Sequence, residues 1–131
     1  MDKLYIPGDL VMVKKSALQF AKDKIFKVIS SLSGGFVKVV MLNDSSTTYS
    51  ISNNAIRPIP LTPEILEKNG WKSINGKYAL KIKNANYVVL EFTENGIYTY
   101  INENTMLFTI KYIHELQHLL FGLGIKHEME V

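Results

Sequence analysis

Residues 61–71 read LTPEILEKNGW, which is the clearest local signal in the chain. Thr62 is a favoured N-cap, because its side chain can accept a hydrogen bond from a backbone N–H of the first helical turn. Pro63 then occupies the first helical position, and Glu64 lies near the positive end of the helix dipole. Asn69-Gly70 is a typical helix end. The segment therefore predicts a two-turn helix that separates a first part of the chain from a second part.

The first part, residues 1–60, predicts short strands separated by turns. The strand-like segments are, in order, DLVMVKK, KIFKVISSL, FVKVVML and TTYSI. Gly34-Gly35 and residues 43–46 are typical turns, whereas residues 16–23 fit either a loop or a short turn of helix. SNNAI predicts a single 3₁₀ turn, and RPIP leaves it extended because proline disfavours helix in the residue before it.

This order of elements resembles an SH3-like small β-barrel, of the kind seen in KOW and Tudor modules. We therefore predict an SH3-like β-barrel over residues 1–60. Such barrels bind peptides, nucleic acid or other domains, so the fold alone does not select a ligand.

The second part, residues 61–131, predicts a helix, an antiparallel meander and a closing helix. Asn75-Gly76 is the pair favoured in two-residue hairpins. YALKIK, YVVLEF and IYTYI then predict a three-stranded meander. The closing helix is expected from about Thr109 to Phe121, with MLF before it either extended or in its first turn. The whole chain is predicted to be α+β, with the second part packed on the barrel as one compact unit, because each part is small for an independent core.

Bulk composition excludes several chemistries. The chain has 131 residues, a net charge of +3 and no cysteine. The lack of cysteine excludes disulfides, thiolate metal ligands and cysteine nucleophiles. No apolar run approaches the roughly 20 residues that span a membrane, and the first residues contain no secretory apolar segment. We therefore expect a cytoplasmic protein, of a bacterium or a phage-infected host cell, without membrane contact.

Positive charge is concentrated in the first part. Residues 1–60 contain eight Lys and Arg against four Asp, which gives +4, whereas residues 61–131 contain seven Lys and eight Glu, which gives −1. This excess permits a protein or nucleic-acid partner, although scattered lysines also make an ordinary solvated surface. Only Arg57 can form a bidentate fork, so sequence-specific base readout is not expected. The candidate partner-binding residues are Lys14, Lys15, Lys24, Lys27, Lys38 and Arg57.

Residues 114–118 read HELQH, the H-E-x-x-H spacing of zinc peptidases. In that chemistry the two histidines, one helical turn apart, bind Zn²⁺, and the glutamate polarises the attacking water. The candidates are His114 and His118 as metal ligands, His127 as a third ligand and Glu115 as the catalytic residue, with zinc as the cofactor.

Helix geometry and ligand spacing disfavour the zinc site. At about 100° per residue, the leucines and the isoleucine of this helix cluster on one side, and His114 and His118 fall nearly opposite. The pair is therefore expected to face water unless another element covers it. The third histidine of the metzincin pattern would stand at Gly124, and His127 comes three residues later. We expect an amphipathic packing helix with no cofactor, and a minimal zinc peptidase is the alternative.

Aromatic residues recur along the predicted meander. At alternating strand positions they favour a sheet core or a cross-strand ladder. The alternative is a stacking platform for single strands of nucleic acid, beside Lys81 and Lys83. The residues concerned are Tyr87, Phe92, Tyr98, Tyr100 and Phe108.

Two segments carry a resemblance to known proteins that is more specific than the resemblance in fold. They are IRPIPLTPEILEKNGW at residues 56–71 and YIHELQHLL at residues 112–120. They resemble the KPIPLT-E-L-K-G-F segment and the closing Y-V-H-x-L-Q-x-L helix of uncharacterised small proteins from Bacteroides-type bacteria and their phages. The resemblance implies a phage or mobile-element origin and no particular reaction. It also implies that residues such as Gln and Asn take the places of Glu115 and His118 in similar proteins.

Three functions stay open on these grounds. The leading expectation is a non-enzymatic accessory protein whose barrel binds a protein or polyanion partner. The second is the zinc peptidase, and the third is a self-assembling structural subunit, a homo-oligomer that pairs through exposed meander strands.

Overall fold

The structure is a computed structural model that describes residues 5–14, 24–32, 34–82, 86–102 and 104–131. Within these ranges the chain is mostly β-sheet, with two five-stranded antiparallel sheets and two α-helices. The first sheet curls into a half-barrel, and the second is a meander followed by the second helix. This architecture agrees with the α+β class. Neither described helix is long and apolar enough to cross a lipid bilayer.

The first sheet consists of β1 (Leu10–Val13), β2 (Phe26–Leu32), β3 (Phe36–Met41), β4 (Asp44–Ser52) and β5 (Ile56–Arg57). Its strand order is β4-β3-β2-β1-β5. The 3₁₀ turn predicted from SNNAI is present over Asn53–Ala55. The expected turn at residues 43–46 is shorter, because Met41 already pairs with Asp44 across two residues. Residues 16–23, whose structure the sequence left open, lie outside the described ranges.

Strand alternation in β2 and β3 separates the side chains inside the curl from those on the outer face, which is partly covered because Val40, opposite Lys27, is buried. In β2, Phe26 and Val28 are buried and Lys27 between them is exposed. In β3, Val37 and Val39 are likewise buried. Successive side chains of a strand point to opposite faces, so these apolar residues meet inside the curl while the lysine points outward.

β1 is covered on both of its faces. Val11 and Val13 lie in the core of the first sheet. Leu10 lies in a second core made mainly by the second part of the chain, and Met12 packs against that core. Because neighbouring residues of a strand face opposite ways, β1 contributes side chains to both cores and links the two parts.

The helix predicted from LTPEILEKNGW is present as α1, Pro63–Lys68. Thr62 Oγ1 accepts a hydrogen bond from the backbone N of Ile65 at 3.4 Å, which is the expected N-cap. Leu66 and Trp71 are buried in the second core and hold the helix against the second sheet.

The second sheet has five strands where three were predicted. The Asn75-Gly76 hairpin is present, and both residues have the positive φ that its turn requires. The strand before this turn and the last strand of the meander are the two additions. In order β10-β9-β8-β7-β6, the sheet comprises β6 (Lys72–Ile74), β7 (Lys77–Lys81), β8 (Tyr87–Thr93), β9 (Gly96–Ile101) and β10 (Thr105–Ile110).

The closing helix, α2, spans Ile113–Gly122, so the predicted start at Thr109 is wrong. The preceding residues pair with β9 instead, and a β-bulge shifts their register between Met106 and Thr109. The buried Thr99 hydroxyl occupies this irregularity, where it donates to the Phe108 carbonyl at 2.5 Å and accepts from the Phe108 N–H at 3.1 Å. These hydrogen bonds, together with the pairing to β9, keep the segment before α2 in a strand, although its local sequence is also compatible with a helix.

α2 is buried on two sides. Leu116 and Leu120 lie in the second core, against the meander. On the other side His114 is only 6% exposed and Gln117 is 0% exposed. The expectation that the histidines face water is therefore wrong for His114, because the segment before β1 covers that side of the helix.

Gln117 connects three segments of the chain through its side-chain amide. Its Oε1 accepts a hydrogen bond from the backbone N of Leu10 at 2.9 Å. Its Nε2 donates to the carbonyl of Gly8 at 2.8 Å and to the carbonyl of His127 at 3.0 Å. One buried amide thus satisfies backbone groups at the start of β1 and in the C-terminal tail.

Gln117→Ala should lower the free energy of unfolding by about 2–4 kcal/mol, because it leaves a cavity and three interior backbone groups without their partner. Gln117→Glu should also destabilise, since a carboxylate cannot donate to the two carbonyls. Urea unfolding followed by circular dichroism measures both variants. Asn95→Ala, in the exposed turn after β8, is the control. A loss below about 0.5 kcal/mol for Gln117→Ala would contradict the role of this amide.

Candidate functional site

His114, the first histidine of HELQH, lies inside an aromatic cluster. Its ring centroid is 5.2 Å from that of Tyr5 and 5.6 Å from that of His118. The Tyr112 ring is nearly parallel to it, with centroids 6.0 Å apart and 12° between the planes. The imidazole therefore serves as a packed ring between α2 and the segment before β1.

Glu115, the glutamate of the motif, caps its own helix. Its Oε1 accepts hydrogen bonds from the backbone N of Lys111 at 2.8 Å and of Tyr112 at 3.0 Å. The carboxylate lies at the positive end of the helix dipole, where a negative charge is stabilised. The catalytic base of a zinc peptidase instead holds a water beside the metal. The Glu115 carboxylate is occupied by the backbone N–H groups at the start of the helix.

His118, the second histidine, is paired with Asp9. Its Nε2 lies 2.7 Å from Asp9 Oδ2, and the same oxygen accepts from the backbone N of Ile6 at 2.9 Å. The Asp9 side chain is fully buried, whereas that of His118 is 32% exposed. The Nε2 that bonds the carboxylate is thereby occupied, and the pair joins α2 to the loop before β1.

Tyr5 adds another buried polar group to this region. Its hydroxyl is buried and, among the described residues, has no hydrogen-bond partner, which is also true of Asp9 Oδ1. Burial and, to a smaller extent, the negative charge of Asp9 raise the pKa of Tyr5. The phenol therefore stays neutral at physiological pH, as a ring that covers α2.

His127 lies in the C-terminal tail, away from a ligand arrangement. Its ring meets the ring of Phe121, with centroids 5.1 Å apart, and its Nε2 is 3.4 Å from the carbonyl O of Pro7. Within the described ranges, no group of three or more His, Asp or Glu side chains is placed to hold a metal ion. The structure thus brings His114 and His118 together and leaves His127 as a packing residue.

The basic candidates fall into separate groups. Lys14 follows β1 and Lys24 precedes β2, and because these strands are antiparallel both lysines lie at one end of the first sheet. Lys27 and Lys38 occupy outward positions on β2 and β3, where Lys27 pairs with Val40 and Lys38 with Ser30. Lys15 lies outside the described residues.

Arg57 stands apart from the lysines. It pairs with Met12 along the edge of β1 that faces away from β2, and it is exposed. The strand order β3-β2-β1-β5 therefore separates Arg57 from Lys27 and Lys38. The described lysines of the first sheet therefore lie apart from the one guanidinium of the chain.

The aromatic residues of the meander divide between two faces of the second sheet. Phe92 packs toward the core and meets the Tyr78 ring edge-on, with centroids 5.9 Å apart. Tyr87, Tyr98 and Tyr100 occupy the opposite face, because each alternates with a residue that points into the core. We call this the open face, and it bears Ala79, Tyr87, Val89, Tyr98, Tyr100 and Met106.

Only the strand register separates these two aromatic sets. In the sequence, the alternation of Tyr98 and Tyr100 with Ile97 and Thr99 indicates that the two tyrosines lie on the face opposite the core. Phe108 is 48% exposed and lies in the bulge of β10, where simple alternation does not apply.

In comparisons with known proteins, the chain matches no family model, no curated protein and no solved structure.

Glu115→Ala should lower the free energy of unfolding by about 1 kcal/mol, because two N–H groups lose their acceptor. Glu115→Gln should cost markedly less, since the amide oxygen can still accept both bonds. Thermal and urea unfolding of the two variants give the comparison. Glu94→Ala in an exposed turn is the matched control. Equal stability of the alanine, glutamine and parent proteins would show that the carboxylate has no capping role.

Proposed function

We propose that the protein is a non-enzymatic binding protein that takes up a polyanion on the lysines of its first sheet. The observation that carries this proposal is the charge of the described residues between 5 and 60. Of the aspartates among these residues, Asp9 is buried and Asp44 is the one exposed carboxylate. Lys14, Lys24 and Lys27 are exposed, and Lys38 is half-buried.

The distribution of these charges favours a polyanion over a small ligand. Lys27 and Lys38 point from the same outer face, and Lys14 and Lys24 lie at one end of the sheet. Lysine ammonium groups act as point charges that contact phosphates without reading bases. A backbone of repeated negative charges is the partner that uses such a spread of cations.

The fold of the first part supports a binding role as well. We assign it to the SH3-like barrels, because its strand order β4-β3-β2-β1-β5 and the 3₁₀ turn before β5 suit such a barrel. The HELQH side chains contribute to packing, to helix capping and to a hydrogen bond with the buried Asp9, which supports a non-enzymatic protein. Together with the resemblance in residues 56–71 and 112–120, this supports our proposal of a cytoplasmic accessory protein of a phage or mobile element.

Charge reversal on the outer face tests the proposal. In fluorescence anisotropy with a labelled DNA duplex, the parent should bind with a log–log salt slope of about −2 to −4, as expected for contacts to a few phosphates. Lys27→Glu combined with Lys38→Glu should weaken binding at low salt and reduce the magnitude of this slope by about 2.

A matched double variant separates local contact from net charge. Lys111→Glu combined with Lys126→Glu makes the same charge change at exposed positions of the second part. It should retain most of the affinity. An equal loss in both double variants, or no binding of the duplex by the parent at low salt, would overturn the proposal.

A further inference from the structure

The open face of the second sheet forms a continuous surface across four strands. Ala79 pairs with Val89, Val89 with Tyr100, and Tyr100 with Met106, so these side chains lie in one row. Tyr98 lies two residues before Tyr100 on the same strand and therefore on the same face. Both helices bury their apolar residues on the other side of the sheet, in the second core. The open face accordingly bears three tyrosines among aliphatic side chains, of which Val89 is only 3% exposed.

Two tyrosines present their rings on this surface. Tyr87 is 40% exposed. The Tyr100 hydroxyl donates to Glu91 Oε1 at 3.1 Å, and Lys77 Nζ lies 5.9 Å from the Tyr100 ring centroid. Partial burial and the Glu91 carboxylate raise the pKa of Tyr100, so its ring carries no negative charge at physiological pH. Rings fixed on strands lose little conformational freedom when a flat ligand stacks on them.

Three lysines lie near these rings. A pocket of about 370 Å³ is lined by Tyr87 together with Lys72 and Lys81. A second pocket of about 280 Å³ shares the Tyr87 wall and extends over Val89. Lys77 adds a third cation, and Glu91 is the one carboxylate at an outward strand position of the described sheet. The surface therefore combines stacking rings with a net positive charge.

The chemistry of this face favours a single strand of nucleic acid over other occupants. Exposed bases stack on aromatic rings while lysines contact the phosphates, whereas the bases of a duplex are stacked within the helix. A second copy of this chain, placed face to face by a twofold axis, would bring the lysines against one another. Edge-to-edge pairing through β10 is hindered because the bulge between Met106 and Thr109 interrupts that edge.

Base-edge recognition is not built into the pocket. The Asn102 Oδ1 accepts from the backbone N of Tyr87 at 2.7 Å, and its Nδ2 donates to Asn86 Oδ1 at 2.7 Å. The amide that lines the pocket is thus engaged by neighbouring protein groups. The remaining walls are rings and aliphatic side chains, which suits binding that tolerates different bases.

We propose that the open face binds single-stranded nucleic acid, with Tyr87 and Tyr100 stacking on bases and Lys72, Lys77 and Lys81 contacting phosphates. This goes beyond the proposed function, because it concerns another surface and adds contacts to bases.

The test compares two probes on the whole chain by fluorescence anisotropy: an oligodeoxythymidylate of about 20 nucleotides and an abasic strand of the same length. The parent should bind the oligodeoxythymidylate at least tenfold more tightly than the abasic strand, since only the former has bases to stack. Tyr87→Ala combined with Tyr100→Ala should reduce that affinity by roughly 10- to 100-fold and change abasic binding by less than about twofold.

Matched variants make the result specific to the rings. Tyr87→Phe combined with Tyr100→Phe keeps both rings and should retain affinity within about threefold. Phe36→Ala removes a ring that is 44% exposed on the first sheet and should leave binding unchanged. Circular dichroism monitors folding. If the double alanine variant is unfolded, the affinity of the single variant Tyr87→Ala provides the test, because the Tyr87 ring is the more exposed.

Several results would overturn the inference. Equal affinity for the two probes would do so, as would unchanged binding by the folded alanine variant. A dimer that the alanine substitutions abolish would assign the open face to a second copy of the chain. The Lys27→Glu and Lys38→Glu variant separates this proposal from the proposed function. It should weaken binding of both probes alike, whereas the ring variants weaken only the binding of the strand that has bases.

Discussion

The burial of α2 on two opposite sides holds the two parts of the chain together. Its leucines close the core of the meander, and its other side is covered by the segment that leads into β1. That second contact is polar as well as apolar, because Gln117 bonds the backbone of Gly8 and Leu10, and His118 pairs with Asp9. Interior polar groups are costly unless they are paired, so these bonds fix how the two parts meet.

The same burial of α2 accounts for the state of the HELQH motif. A catalytic zinc site requires two imidazoles and a carboxylate that converge on a metal and its water. Here the imidazole of His114 packs between tyrosine rings, and the carboxylate of Glu115 caps the helix. Among the described residues, the two proposals rest on the lysines of the first sheet and on the open face of the second. One offers charge alone, and the other combines charge with aromatic rings.

Elements defined by local chemistry were predictable from the sequence. α1 followed from Thr62, Pro63 and the Asn69-Gly70 end, and the first hairpin of the meander followed from Asn75-Gly76. In each case the signal lies within a few residues and depends on side-chain hydrogen bonding or on positive φ.

Features that depend on distant contacts were not predictable. TMLFTI is compatible with a strand or a helix, and its pairing with β9 decides for the strand. The burial of His114 depends on residues more than a hundred positions earlier in the chain, which periodicity within the helix cannot show. The sequence offered the meander aromatics as one candidate set, and strand register is what separates Tyr87, Tyr98 and Tyr100 from the core-facing Phe92.

Metal content is the most direct test of the claim that HELQH serves the fold. Tag-free protein purified without chelator would be analysed by mass spectrometry for zinc per chain. We expect less than about a tenth of a zinc per chain, because Glu115 and His118 are engaged by the helix N-terminus and by Asp9. About one zinc per chain, retained after dialysis, would contradict the claim and would return the motif to a metal-binding role.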